Sequence, residues 1–246
     1  MRKVALVTGG AKGIGKAIVT ELAKNNYDVV INYLTSKDKA EQLKEELTSF
    51  DDNVLTYCAD ISKEDEINNM ISYIEEKLGG VDILINNAAV DLSSLWNNKT
   101  SEQFKKTLDV NLIGAYNLAK RVYKHMEENK WGRIINIAST NGINTYYPMS
   151  VEYDASKAAL ISLTHNLAIK FAPFVTVNAI APGFIGTESE LEGYDEEFLK
   201  SEQEKILLGR YGKPEEVAHL VKFLVSDEAN YINNSVIRID GGQYGS

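Results

Sequence analysis

The chain has 246 residues, 44% hydrophobic and 25% charged, with a net charge of −9. That length and apolar content can build a core without staples, which excludes a wholly disordered chain. An acidic chain is unsuited to nucleic acid or an anionic membrane surface, and one cysteine, Cys58, excludes an internal disulfide or a thiolate zinc cluster.

Short β-branched apolar runs alternate with helical patterns from end to end. The expected strands are Lys3–Thr8, Asp28–Tyr33, Asn53–Cys58, Asp82–Ile85, Arg133–Ala138, Phe174–Ile180 and Val236–Ile239. Their apolar runs are continuous, as in strands covered on both faces. Helical spacing marks Lys16–Lys24, Lys37–Thr48, Lys63–Leu78, Glu102–Glu128, Tyr153–Phe171 and Pro214–Val225. Ser62 and Thr100 read as N-caps, and Pro214 with Glu215 and Glu216 suits a first helical turn. Strand–helix alternation predicts one α/β domain, residues 1–246. It is a Rossmann-type doubly wound parallel sheet of about seven strands with helices on both faces. The acidic segment 188–208 reads as an insertion, either a substrate lid or a permanently ordered surface helix pair.

The opening apolar stretch breaks at Thr8, too short for a signal-peptide core, and no run approaches the roughly 18 residues of a spanning helix. Cytoplasmic residence is the expectation, with no membrane partner. His125, His165 and His219 are scattered without ligand spacing, so no metal site is expected.

The first strand runs into Thr8-Gly9-Gly10-Ala11-Lys12-Gly13-Ile14-Gly15 and then a helix. Glycines permit a sharp turn and close backbone approach, and a helix N-terminus offers free N–H groups to a pyrophosphate. The spacing Gly9, Gly13, Gly15 is not the common G-x-G-x-x-G. An NAD site carries an acid after the second strand, on the ribose 2′-hydroxyl. Here that stretch reads Asn32-Tyr33-Leu34-Thr35-Ser36-Lys37, with no acid before Asp38. A 2′-phosphate would suit Lys12, Lys37, Thr35 or Ser36, so NADP(H) is expected over NAD(H); otherwise Lys12 is a solvated surface lysine.

Tyr153 and Lys157 lie four apart on one helix face. A nearby ammonium favours the phenolate and lets tyrosine exchange a proton with a carbonyl oxygen near neutrality. Ser139 ends the fifth strand, where open parallel sheets place ligands, and can hydrogen-bond a developing oxyanion. Asn111 sits mid-helix, unfavourable for asparagine unless its side chain has a task. Tyr146 and Tyr147 either line a substrate entrance or cover the core.

Taken together, Thr8–Gly15, Asn86-Asn87-Ala88-Ala89, Asn111, Ser139, Tyr153-x-x-x-Lys157, Pro182-Gly183-Phe184-Ile185 and Asp240-Gly241-Gly242 resemble the short-chain dehydrogenase/reductase family. The likeness is closest to its 3-oxoacyl-[acyl-carrier-protein] reductase branch. The resemblance implies an NADPH-dependent carbonyl reductase with Asn111, Ser139, Tyr153 and Lys157 as the catalytic group. Lys157 would also bond the nicotinamide ribose, and Asn111 would hold a water leading from the lysine to solvent. It implies cofactor contacts from Gly9, Lys12, Gly13, Ile14, Gly15 and Thr35, from Asp60 and Ile61 at the adenine, and from Asn87 and Ala88 at the adenosine ribose. Pro182, Gly183, Ile185 and Thr187 would meet the nicotinamide. A homotetramer is implied, through the helices at Glu102–Glu128 and Tyr153–Phe171 and through the C-terminal region. Alternatives are a sugar or polyol dehydrogenase of the same family, and a non-catalytic NADP(H)-binding sensor or scaffold.

Three departures stand out. Ala89 replaces the usual glycine, where a methyl would crowd any left-handed backbone. The step of 14 from Ser139 to Tyr153 is about one residue longer than usual in this branch, so the loop Asn141–Glu152 should bulge on the substrate side. The junction Phe171–Thr176 lacks the basic residue often found there, which weakens the case for an acidic acyl-carrier-protein-linked substrate.

Overall fold

Alternate residues of the first strand feed two different cores. Ala5 and Val7 pack on one side with Ile31, Ile85 and Ile135, while Val4 and Leu6 pack on the other with Val30, Leu84 and Ile134. That period of two, apolar on both sides, requires a sheet covered on both faces. The computed structural model describes residues 2–48, 53–92 and 94–244. Its strands are β1 (Val4–Val7), β2 (Asp28–Tyr33), β3 (Val54–Cys58), β4 (Ile83–Asn86), β5 (Gly132–Ile137), β6 (Val175–Pro182) and β7 (Val236–Ile239). They lie in the order β3-β2-β1-β4-β5-β6-β7, and every pairing is parallel. In register, Leu6 stands beside both Val30 and Leu84.

Helices α1 (Gly13–Lys24), α2 (Lys37–Thr48) and α9 (Pro214–Val225) cover one face. The other face is covered by α3 (Glu64–Leu78), α5 (Ala115–Glu128) and α6 (Val151–Phe171). Between α3 and α5 lies α4 (Ser101–Leu108), and the segment after β6 forms α7 (Glu188–Gly193) and α8 (Glu196–Glu204). The strand order reverses between β1 and β4, so their carboxyl ends open a crevice, the standard ligand position in such sheets. No helix among the described residues is long and apolar enough to cross a membrane.

Two local expectations need correction. The single helix expected over Glu102–Glu128 is interrupted: α4 ends at Leu108, a π-turn occupies Asp109–Gly114, and α5 follows. Thr100 does cap α4, in a reciprocal capping box with Gln103. Ser62 does not cap α3; the residue flanking that helix is Lys63. The Ser62 hydroxyl is spent on Asp60 Oδ1 at 2.7 Å, a competing local bond of the kind serine favours. The segment 188–208 is helical in two pieces. Ala89 is not among the left-handed residues, so its methyl causes no backbone strain.

Candidate active site

β5 and α6 bring the expected catalytic group together. The Lys157 ammonium, buried in α6, donates at 2.8 Å to the carbonyl of Ile137, the last residue of β5. Two residues on, Ser139 is buried at the strand's carboxyl end. Tyr153 lies one turn before Lys157, its ring centroid 5.3 Å from the Lys157 nitrogen, and its hydroxyl is hydrogen-bonded with Ser139. Asn111 sits in the π-turn, buried, and its side chain is fully engaged. It accepts from Val90 N at 2.8 Å and donates to Val90 O and Ser156 Oγ, both at 3.0 Å. It thus clamps the segment after β4 to α6. A π-turn re-aims a side chain at the cost of one extra residue, and such turns concentrate at functional sites.

The electrostatics differ from the expectation that Lys157 lowers the phenol. Burial pushes Tyr153 well above the ordinary tyrosine value; Asp91 and Glu190 add to the rise, and the Ser139 hydrogen bond opposes it. Burial also lowers Lys157 to about 8. In a desolvated site each group prefers its neutral form. Tyr153 is therefore a protonated phenol near neutrality, an acid ready to donate.

The glycine turn fits a dinucleotide pyrophosphate. Gly9 and Gly13 have φ of +62° and +53°, which a side chain would strain. A methyl at Gly15 would stand 2.3 Å from Gly9 O, so that approach needs glycine. Lys12 flanks α1 with no side-chain capping bond, so Gly13, Ile14 and Gly15 present first-turn N–H groups to an anion. The Asn87 side-chain amide donates to Thr8 O at 2.9 Å and Gly9 O at 3.2 Å, so it braces the turn from β4. Ala88 packs against Gly9, its Cα 3.0 Å from where a Cβ there would sit. Thr187 lies across from Gly13 and caps α7, accepting from Glu190 N.

A family model described as enoyl-(acyl carrier protein) reductase matches residues 9–243. The chain is 37% identical over 246 residues to the 3-oxoacyl-[acyl-carrier-protein] reductase FabG of Staphylococcus epidermidis, covering 99% of this chain and all of that one. The chain belongs to the short-chain dehydrogenase/reductase family. An acetoacetyl-CoA reductase of Rhizobium meliloti is 39% identical over 99% of both chains. The crystal structure of a short-chain dehydrogenase from Bacillus anthracis superposes with a TM-score of 0.88 at 35% identity, over 98% of this chain and 96% of that one. This short-chain dehydrogenase/reductase is therefore an oxidoreductase of a family that works with nicotinamide cofactors.

The remaining cofactor candidates lie at or within a few residues of the carboxyl ends of β2, β3 and β6. Thr35 is exposed just beyond β2, and no carboxylate stands between Asn32 and Lys37. Asp60 follows β3; burial alone would raise it, but two hydrogen bonds from Ser62 hold its carboxyl low. Ile61 is buried beside it. Pro182 ends β6 and is buried, Ile185 is buried just beyond it, and Gly183 is close-packed, with Asp240 Cβ 2.6 Å from where its own Cβ would be. On the substrate side, the buried Glu202 of α8 accepts from the Tyr147 hydroxyl and from Lys205 at 2.7 Å. This joins the helix pair to the 141–150 loop. Asp91, Glu190, Asn141 and Asp154 also face the site, and sequence reasoning missed all four. An acid five residues after a strand end gives no recurring pattern, but Asn141 and Asp154 flank expected catalytic residues and were open to notice.

Proposed function

We infer that this short-chain dehydrogenase/reductase is an NADPH-dependent carbonyl reductase that reduces a 3-oxoacyl thioester to its 3-hydroxy product. The carrying observation is the buried Tyr153 phenol, hydrogen-bonded with Ser139 and one turn from Lys157. Two kinds of relative at 37% and 39% identity, a 3-oxoacyl-[acyl-carrier-protein] reductase and an acetoacetyl-CoA reductase, share the thioester chemistry.

The residues divide the work as follows. The turn Gly9–Gly15 and the N-terminus of α1 would hold the pyrophosphate. The segment after β2, lacking a carboxylate, admits a 2′-phosphate, with Lys12 and Thr35 near it. Asp60, Ile61, Asn87 and Ala88 would hold the adenosine, and Pro182, Gly183, Ile185 and Thr187 the nicotinamide. A nicotinamide cofactor bound there would supply the hydride that reduces the ketone carbon. Tyr153, kept neutral by burial, gives its proton to the ketone oxygen as charge develops there. Ser139 fixes that oxygen beside the phenol. Lys157, held by Ile137 O, stands behind Tyr153 and stabilises the phenolate left after transfer. Asn111 positions Val90 and α6 around them.

The test is the purified protein with NADPH and acetoacetyl-CoA, against NADP⁺ with a panel of sugars. Oxidation of NADPH by the thioester supports the reading; no turnover of any 3-oxoacyl thioester ends it. Whether the acyl group rides on coenzyme A or a carrier protein is settled by assaying both. Sedimentation tests the homotetramer proposed on family grounds.

A further inference from the structure

The helix pair after β6 is held down by polar contacts. No residue of α7 is buried, and in α8 the single buried residue is Glu202, 1% exposed. A helix pair docked for good turns an apolar stripe inward. This one turns a carboxylate inward, with Phe198 and Leu199 only half-buried.

Both ends of the segment are anchored. Thr187 is buried across from Gly13 and caps α7. At the far end Ile206 is buried, Tyr244 N donates to Lys205 O at 3.1 Å and Leu208 N donates to Gly241 O at 3.1 Å. Between the anchors, the ring contacts of Tyr194 with Phe184 and Phe198 stay within the segment and its own flanks, as does the bond from the Tyr211 hydroxyl to Leu199 O. Lys39 reaches Glu188 at 3.2 Å, but both side chains are more than half exposed, so that pair holds little. Asp91, after β4, and Glu190 on α7 bear on each other as like charges, which weakens the hold on α7.

The bond that crosses to the substrate-side loop runs from the Tyr147 hydroxyl to Glu202. Lys205 donates to the same carboxylate at 2.7 Å and balances its charge. Burial and the bond to Glu202 push the Tyr147 phenol well above its ordinary value, so its proton stays in that bond. Tyr147 is tied to the reaction centre as well. Its N–H donates at 3.0 Å to Asp154 Oδ2, on the residue after Tyr153, and it lines a cavity of about 500 Å³ with Asn141 and Asp154. A phenol–carboxylate bond is strong while dry, and water replaces it readily once it is exposed. Such a contact is either made or broken.

We propose that the bond from Tyr147 to Glu202 is the latch of a substrate lid: α7 and α8 close beside the reaction centre when it is made and swing away on their two anchors when it breaks. Tyr147 and Glu202 are then positioning residues, acting through the lid. Their effect on turnover rests on the thioester reading above; the latch itself does not.

The test is hydrogen–deuterium exchange of the full chain, followed by mass spectrometry with no substrate present. Tyr147→Phe keeps the ring and deletes the latch hydroxyl. Amides of 188–204 should exchange about tenfold faster or more, as for one lost bond to a charged acceptor in a weakly packed element. Those of α2 and α5, on opposite faces of the sheet, should keep the parental rate. Unchanged exchange in 188–204 overturns the latch. Faster exchange in α2 and α5 as well also overturns it, since the hydroxyl would then support the whole fold.

In the reduction of acetoacetyl-CoA, the same variant should raise KM about fivefold and leave kcat at or above the parental value. An open lid holds substrate less tightly and lets product leave sooner. A fall in kcat with KM unmoved, or neither constant moved beside a loosened lid, overturns the positioning role. Loosened 188–204 with no thioester turned over supports the latch and ends the substrate reading. Turnover of the thioester with unchanged exchange does the reverse.

Discussion

Lys157 Nζ reaches the carbonyl of Ile137 at 2.8 Å, so the helix that carries Tyr153 is tied to the strand end that leads to Ser139. The lysine is 2% exposed, and burial lowers it from 10.5 to about 8. Between those values the unfolded chain binds more protons than the folded one, so this group makes stability rise with pH across that window. Below pH 8 the buried charge costs on the order of 3 kcal/mol. Lys157→Met should therefore melt higher than the parent at pH 7, with the difference narrowing by pH 10, while reductase activity is lost. Paired melting curves across that range check it. A constant difference between parent and variant would show that the lysine is not destabilising when charged.

Tyr153→Phe removes the proton and keeps the ring. Reduction of acetoacetyl-CoA should fall by about 10³-fold, within the range for loss of a general acid. NADPH affinity, followed by fluorescence of the bound nicotinamide, should stay within a few-fold. Turnover at the parental rate would remove the phenol from the mechanism.

Cofactor choice is expected to turn on the end of β2. Thr35 is exposed there, and the stretch from Asn32 to Lys37 is free of acids. Thr35→Asp sets a carboxylate against a 2′-phosphate and offers it to a 2′-hydroxyl. The KM for NADPH should rise by about tenfold or more, while that for NADH falls. Steady-state kinetics with both coenzymes read this, and an unchanged ratio places the selecting group elsewhere.

Beside the reaction centre, Lys99 and Glu152 form a buried ion pair at 2.6 Å, with side-chain exposures of 11% and 0%. It joins the segment before α4 to the first turn of α6. Removing only the cation strands a buried carboxylate, so Lys99→Met should cost about 3–5 kcal/mol in urea unfolding. Replacing both, as Lys99→Met with Glu152→Leu, should recover most of that loss. Equal stability of the single and double variants would contradict it.

Much of this molecule was legible in the residues. The α2 helix and the β7 strand lie at the predicted bounds, because α2 keeps Ala40, Leu43 and Leu47 on one buried face and β7 closes the strand–helix alternation. Tyr153, Lys157, Ser139 and Asn111 come together because each lies at a strand end or on a helix facing the same crevice. The π-turn was not legible: one extra residue leaves the apolar spacing of α5 intact and shifts only its phase. Ser62 has cap chemistry, but Asp60 two residues earlier offers a nearer partner. The fall in the phenol's pKa expected from Lys157 is absent because sequence spacing conveys proximity and not desolvation, and burial dominates both groups. Asp91 acts on Tyr153 from the segment after β4 and Glu190 from α7, a relation between distant segments that no local pattern reports.

The π-turn at Asp109–Gly114 has a further consequence for the ways this chain can change. It absorbs one residue of slack between two helical stretches, each of which advances about 100° per residue. Deleting a single residue there would make the stretch continuous and swing one side against the other. Either Asn111 would lose Val90 and Ser156, or the seam of Leu118, Val122 and Met126 would leave the sheet. Point substitutions on the outer surface of this stretch should be tolerated, whereas any change of length should disable chemistry and folding together.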